Sequence, residues 1–234
     1  MFSAEIMEEI AAHAAAEFPR ECCGLVVALA DGAAYLPYPN RAQGSEHFVL
    51  AAEDLAEAED MGEILAVVHS HPNASPEPSP ADRVSCNISG LPWLIVSHPP
   101  SGHQLLCPDD YQAPLLGRPF VHGVLDCYAL IRDWYRQERS IVLPDFNRRD
   151  NWWLGDDNLY MDHFKEAGFA EVQDVDDWQI GDVILMQIRA DKPNHGAVYL
   201  GDGIIMHHIH GRLSGRDVYG GFWQKVTVKR VRYA

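Results

Sequence analysis

The stretch from His69 to Asp82, "HSHPNASPEPSPAD", sets two imidazoles one residue apart, then a proline-studded loop, a serine and an aspartate. If the apolar run "ILAVV" continues as a strand through the pair, His69 and His71 point to one face and can share a metal ion. On a helix they would lie about 200° apart and could not. Zinc takes four ligands, and its catalytic sites use three from the protein plus a water. Asp82, thirteen residues after His69, is the candidate third ligand. It follows a loop in which Pro72, Pro76, Pro78 and Pro80 restrict the chain to extended shapes. Ser79 shares a face with Asp82 if a helix starts here. The reaction also needs a base, and Glu21 in "PRECCGLV" could reach the site from a neighbouring strand or loop.

A second set of residues could do thiol chemistry. Cys127, in "VLDCYAL", stands where a helix should start, and the positive end of a helix lowers a thiol pKa. A histidine within reach would lower it further and form a thiolate–imidazolium pair. His195 opens the strand "HGAVYLGDG" and His207 lies on the returning strand "GIIMHHIH". A hairpin centred on Gly201 would set these two opposite each other on one side of the sheet, one as base and the other orienting it. His208 would point the other way, although a register change of one residue would exchange the two.

These side chains need two separate frameworks. The 234 residues suffice for two domains of ordinary size. The net charge of −16 is uneven: residues 1–110 hold 3 Lys+Arg against 17 Asp+Glu, and residues 111–234 hold 15 against 17. So acidic a surface repels phosphate backbones and argues against nucleic acid as a partner. Cysteines 22, 23, 86, 107 and 127 have no disulfide-scaffold spacing and read as mostly buried thiols in a reducing compartment. No basic residue precedes Arg20, so a secretory signal is not expected, and no apolar run approaches the ~20 residues of a membrane span.

The first half reads as a helix over "SAEIMEEIAAHAAAEF", strands at "CGLVVALA", "AYLPY" and "HFVL", an acidic helix at "AAEDLAEAEDMG", the histidine strand, a short helix from Pro80 and a strand at "PWLIVSH". Turn chemistry over residues 107–119 marks a boundary. Beyond it come a helix "DCYALIRDWYRQE" capped by Asp126, and a second, "DNLYMDHFKEAG", ended by Gly168. Strands follow at "DVILMQI", "HGAVYL", "GIIMHHIH" and "VTVKRVRY", an α+β order.

"HSHP", six residues, "S", two residues and "D" match the motif of the JAMM metallopeptidases at every position, and "ECCGLV" resembles their glutamate-bearing segment. The resemblance covers residues 1–108 and implies an α/β/α domain. It also implies His69, His71 and Asp82 as ligands of Zn2+, Glu21 as general acid/base, Ser79 as oxyanion stabiliser, and an (iso)peptidase activity. Residues 113–234 resemble the NlpC-type cysteine peptidases through "DC" before a helix, "GDV" ahead of a strand, and "HGAVYLGDG" followed by a histidine. That resemblance implies a papain-like α+β domain with Cys127, His195 and His207 as catalytic residues. It selects His207 over His208, and it implies a peptidoglycan stem peptide as substrate, cut at a D-glutamyl–diamino acid bond. Two departures bear on the oxyanion side: Tyr128-Ala129 replaces Ser-Gly after the cysteine, and Leu115 stands where many relatives carry tyrosine.

The two domains in this order, at about this length, resemble tail assembly proteins of lambda-like tailed phages. The resemblance implies other phage tail tip proteins as partners, and residence in the host cytoplasm during assembly and then in the virion tail. Two other roles fit the same sequence: a structural tail component with vestigial sites, or a module that grips wall peptide or a tail partner without cutting.

Overall fold

The computed structural model describes residues 2–45, 47–174 and 176–234. The chain divides into two units, Met1–Gln112 and Ala113–Ala234.

In the first unit, helix α1 (Ala4–Glu17) starts at Ser3, whose hydroxyl oxygen accepts from the Ile6 N–H. Its Ile6, Ile10 and Ala14 pack on one face of a five-stranded mixed sheet. The strands are β1 (Cys23–Leu29), β2 (Gly32–Tyr38), β3 (Glu63–Pro72), β4 (Trp93–His98) and β5 (Gly102–Leu106), in the order β2-β1-β3-β4-β5. Only β3 and β4 run parallel, with helix α3 (Pro80–Ser89) crossing between them. The helix α2 (Ala52–Met61) and α3 cover the other face through Ala58 and Cys86. Helices on both faces of one sheet give the expected α/β/α layering. Strand parity then sorts β3: Ala66 and Val68 pack on the α1 face, while Val67 packs on the α3 face. His69 continues the parity of Val67 and so lies on the α3 side.

The segment "HFVL" is not a strand. Its backbone is satisfied locally, with Arg41 N–H donating to the Val49 carbonyl and Val49 N–H to the Asn40 side-chain oxygen, so a β-prone composition is used by a loop.

In the second unit, α4 (Cys127–Arg139) packs Leu130, Ile131, Trp134 and Tyr135 against one face of a six-stranded antiparallel sheet. Asp126 caps α4 by accepting from Ala129 N–H at 2.9 Å. Behind the cap, Arg148 bonds the same carboxylate at 2.6 Å, and both side chains are buried. The second helix is shorter than its sequence suggests. The helix α5 spans Leu159–His163, and turns carry the chain on to Gly168, where φ is +89°. The sheet contains β6 (Phe169–Glu171), β7 (Val183–Met186), β8 (His195–Gly201), β9 (Ile204–His207), β10 (Gly215–Val218) and β11 (Thr227–Tyr233). Their order is β10-β9-β8-β7-β11-β6. A one-turn helix α6 (Phe222–Lys225) leads into β11 and carries Trp223. No helix among the described residues is long and apolar enough to cross a membrane.

Candidate functional site

The His69 and His71 side chains meet Asp82 where the end of β3 faces the first turn of α3. The two Nε2 atoms are 3.1 Å apart, His69 Nε2 lies 3.3 Å from Asp82 Oδ1, and His71 Nε2 lies 3.3 Å from Asp82 Oδ2. Ligand atoms bound at 2.0–2.1 Å in a tetrahedron stand about 3.3 Å from one another, so this triangle fits one zinc-sized ion. The tautomer of His71 suits the same purpose. Its Nδ1 is 2.9 Å from the Ser75 carbonyl, which can only accept, so the proton sits on Nδ1 and the Nε2 lone pair faces Asp82. His69 is buried, stacked on Phe48 at 4.8 Å and against the edge of Trp93, and its Nδ1 has no hydrogen-bond partner among the described residues.

Ser79 and Asp82 also form a capping box. Asp82 N–H donates to the Ser79 hydroxyl oxygen at 3.1 Å, and Ser79 N–H donates to Asp82 Oδ2 at 2.7 Å. The same two residues therefore start the helix and aim the carboxylate at the histidines. Burial pushes the Asp82 carboxyl up, but its bonds to His69 and His71 outweigh that and hold it well below the usual carboxylate range.

The serine of "HSH" ties Glu21 to this strand. Ser70 Oγ accepts from Cys22 N–H at 2.8 Å, and Ser70 N–H returns a bond to the Cys22 carbonyl. Cys23 pairs with His69, so the chain two residues earlier runs beside His71. Burial raises the Glu21 carboxyl; His69 and His71 pull it back and Asp82 adds to the rise.

In the second unit, His195 and His207 sit on one face of β8 and β9 with His195 Nε2 3.0 Å from His207 Nδ1. They are not directly opposite. A bulge between Tyr199 and Gly201 shifts the ladder so that His207 pairs with Ala197, which makes the histidines diagonal neighbours. A two-residue shift preserves the face, so parity holds although the hairpin centre does not. His208 turns away, its ring 5.0 Å from Phe120.

Cys127 occupies the first position of α4. Its sulfur lies 3.1 Å from the Tyr160 hydroxyl and faces the backbone N–H of Gly196, the residue after His195. A side chain at 196 would collide with Ile131 Cδ1 at 2.8 Å and crowd the Tyr160 hydroxyl at 3.1 Å, which explains the glycine in "HGAVY". The electrostatics of the buried groups run against the expected ion pair. Burial pushes the thiol up to about 11, with Asp126 adding to the rise, and pulls His195 down to about 3, helped by His207 and His208. Desolvation outweighs the helix end here and favours the neutral thiol and the neutral imidazole.

Two neighbours carry no sequence signal. Asp217 on the edge strand β10 places Oδ2 2.9 Å from His207 Nε2, and Trp223 packs its ring 4.4 Å from that of His207. Tyr160 reaches the thiol from α5, whereas Leu115 packs against the α4 core.

Residues 3–106 match the family of prokaryotic homologs of the JAB domain, and residues 117–232 match the NlpC/P60 family. The chain is 44% identical over 230 residues to tail tip assembly protein K of Escherichia phage N15, covering 97% of this chain and 93% of that protein. It is 43% identical over 178 residues to tail tip assembly protein K of Escherichia phage lambda, covering 76% and 86% respectively. A crystal structure of an NLP/P60-family protein from Staphylococcus aureus matches 51% of this chain and 37% of that one, at 22% identity and a TM-score of 0.37.

Proposed function

The chain belongs to the family of tail tip assembly protein K, a JAB-type unit followed by an NlpC/P60 unit, and on that premise we propose that it carries two separate hydrolases for the phage tail tip. The first, residues 1–108, is a zinc-dependent peptidase or isopeptidase. The second, residues 113–234, is a cysteine endopeptidase acting on peptidoglycan stem peptides, and other tail tip proteins are its assembly partners. The observation that supports this reading is that His69, His71 and Asp82 meet at one point in the first unit, and that in the second His195 bonds His207 on the strand whose Gly196 N–H faces the Cys127 sulfur.

In the first unit His69, His71 and Asp82 would hold Zn2+, which when bound supplies Lewis-acid chemistry toward water and the scissile carbonyl. Glu21 takes the proton of the attacking water and returns it to the leaving amine. Ser79 uses its oxygen to cap α3 and keeps its own proton to donate to the oxyanion.

In the second unit the neutral Cys127 thiol passes its proton to His195 as sulfur attacks the carbonyl carbon of the stem peptide. His195 then protonates the departing amine, leaving a thioester. Water activated by the same imidazole hydrolyses the thioester and frees Cys127. His207 holds the imidazole in place throughout.

Purified wall fragments incubated with wild type and with Cys127→Ala test the second activity, and new amino termini with wild type alone are expected. Bound zinc in wild type against a His69→Ala/His71→Ala double variant tests the first site. Equal wall products from both chains, or equal zinc in both, would overturn the corresponding half. The covered, neutral thiol favours one other role for the second unit, gripping wall peptide without cutting it. In that case wild type and Cys127→Ala bind fragments alike and neither releases product.

A further inference from the structure

The cysteine site continues past its second histidine. Asp217 Oδ2 lies 2.9 Å from His207 Nε2, His207 Nδ1 lies 3.0 Å from His195 Nε2, and the thiol stands beside the N–H of the next residue, Gly196. An ionised carboxylate can only accept, so the proton between Asp217 and His207 belongs to His207 Nε2. A neutral His207 then has its lone pair on Nδ1 and accepts from His195 Nε2–H. A neutral His195 in turn keeps its own lone pair on Nδ1.

From this chain of bonds we infer that Asp217 is a positioning residue of the cysteine site, fixing both ring tautomers so that His195 Nδ1 is the atom that receives the thiol proton. The inference rests on the peptidase reading only for its consequence, because the tautomers follow from the hydrogen bonds alone. Its surroundings support it. Arg212 Nη1 lies 3.5 Å from the same Asp217 oxygen, so a cation faces the carboxylate on its other side. The Trp223 ring walls His207 from solvent, and burial lowers the His207 pKa although Asp217 opposes it, which favours the neutral ring with its acceptor nitrogen. The register of the edge strand supplies the geometry: Gly215 pairs with His207 and Asp217 with Ile205, so the carboxylate reaches the histidine diagonally and the small residue opposite leaves room.

The test uses the full chain and three variants, Asp217→Ala, Asp217→Glu and Asp217→Asn. Long-range 1H–15N spectra of the histidine rings should show wild-type His207 as the Nε2–H tautomer. Asp217→Ala should give a mixture of tautomers. Alkylation of Cys127 by iodoacetamide, followed by peptide mass spectrometry, should slow about tenfold in Asp217→Ala. Cleavage of wall fragments should fall about 10- to 100-fold, short of the ~10⁴ seen when a directly bonded tautomer-fixing carboxylate is replaced. Asp217→Glu, with room at a strand edge, should recover the wild-type tautomer and most of the rate. If Asp217→Ala does not fold, the isosteric Asp217→Asn replaces it and should show two His207 ring populations.

A wild-type His207 with its proton on Nδ1 overturns the inference. So does a loss of cleavage with tautomers and alkylation unchanged, which would make Asp217 only a structural residue. If wild type cuts no wall fragment while Asp217→Ala still shifts the tautomer and the alkylation rate, the positioning role stands and the peptidase reading falls.

Discussion

The two sites solve opposite electrostatic problems. The first collects charge: a carboxylate held ionised by two imidazoles, with His71 and Asp82 aimed by local bonds from Ser75 and Ser79. The second excludes charge: a buried thiol pushed up to about 11 and, on β8, an imidazole pulled down to about 3. A site that waits for a cation gains from a preformed negative ligand set. A site that waits for a peptide can stay neutral, since moving one proton from sulfur to nitrogen coincides with attack on the substrate. The difference suggests that the first site responds to its ion and the second to its substrate, with no need for either to sense the other.

The comparison breaks most visibly if the sites prove coupled. His69→Ala/His71→Ala is expected to lose essentially all bound zinc, because two of three protein ligands go, while cleavage of wall fragments stays within about twofold of wild type. Cys127→Ala is expected to abolish that cleavage and leave metal content unchanged. Elemental analysis and fragment mass spectrometry on the same preparations decide it, and a cross-effect in either direction would end the picture of two independent sites. Within the first unit, Glu21→Gln sharpens the contrast. It should retain zinc and lower peptidase turnover about 10²- to 10⁴-fold, the range for loss of a general acid–base.

The first site was far more legible in the sequence than the second. Its three candidate ligands lie within one stretch from His69 to Asp82, and strand parity plus a helix start bring them together without long-range pairing. Even there, the serine of "HSH" carried no visible role until its hydroxyl was seen holding the Glu21 segment. The second site draws on Cys127, Tyr160, His195, His207 and Asp217, from a long helix, a one-turn helix and three strands. Parity put the two histidines on one face, but the bulge near Gly201 set which residues pair. Asp217 lies on a four-residue edge strand, too short to leave a periodic signal, and Tyr160 falls inside the expected helix with nothing in the sequence to mark its hydroxyl for the thiol. The helix end and a nearby histidine both point to a lowered thiol, whereas burial, a property of the folded unit, pushes it up.

A stability test separates the scaffold from the chemistry. Asp126 caps the helix that carries Cys127 and pairs with buried Arg148. Burial opposes its ionisation, but Arg148 and the Ala129 N–H outweigh that and lower its pKa below the ordinary 3.8. A lowered folded pKa means the pair contributes above the unfolded value and its contribution is lost as pH falls through the folded one. Asp126→Asn keeps a capping oxygen and leaves a buried arginine without that charge. It should cost about 3 kcal/mol at pH 7, and the gap to wild type should narrow below about pH 4. Denaturant melts at pH 7 and pH 3 check this, and a gap that widens in acid would contradict the assignment.

The smallest expected effect probes the neutral thiol itself. The Tyr160 hydroxyl bonds the sulfur and, with the Gly196 N–H, partly offsets the rise that burial imposes. Removing one such bond forgoes about 1 kcal/mol, so Tyr160→Phe should slow alkylation of Cys127 about fivefold at any pH below 10. The wild-type rate should climb about tenfold per pH unit toward the thiol's own value near 11, because only the thiolate reacts. The variant curve should run parallel and shifted to higher pH, measured by mass spectrometry with Cys127→Ala subtracting the other four cysteines. A wild-type plateau near pH 7 would instead mean a thiolate–imidazolium pair at rest, and the contrast between a charged first site and a neutral second one would go with it.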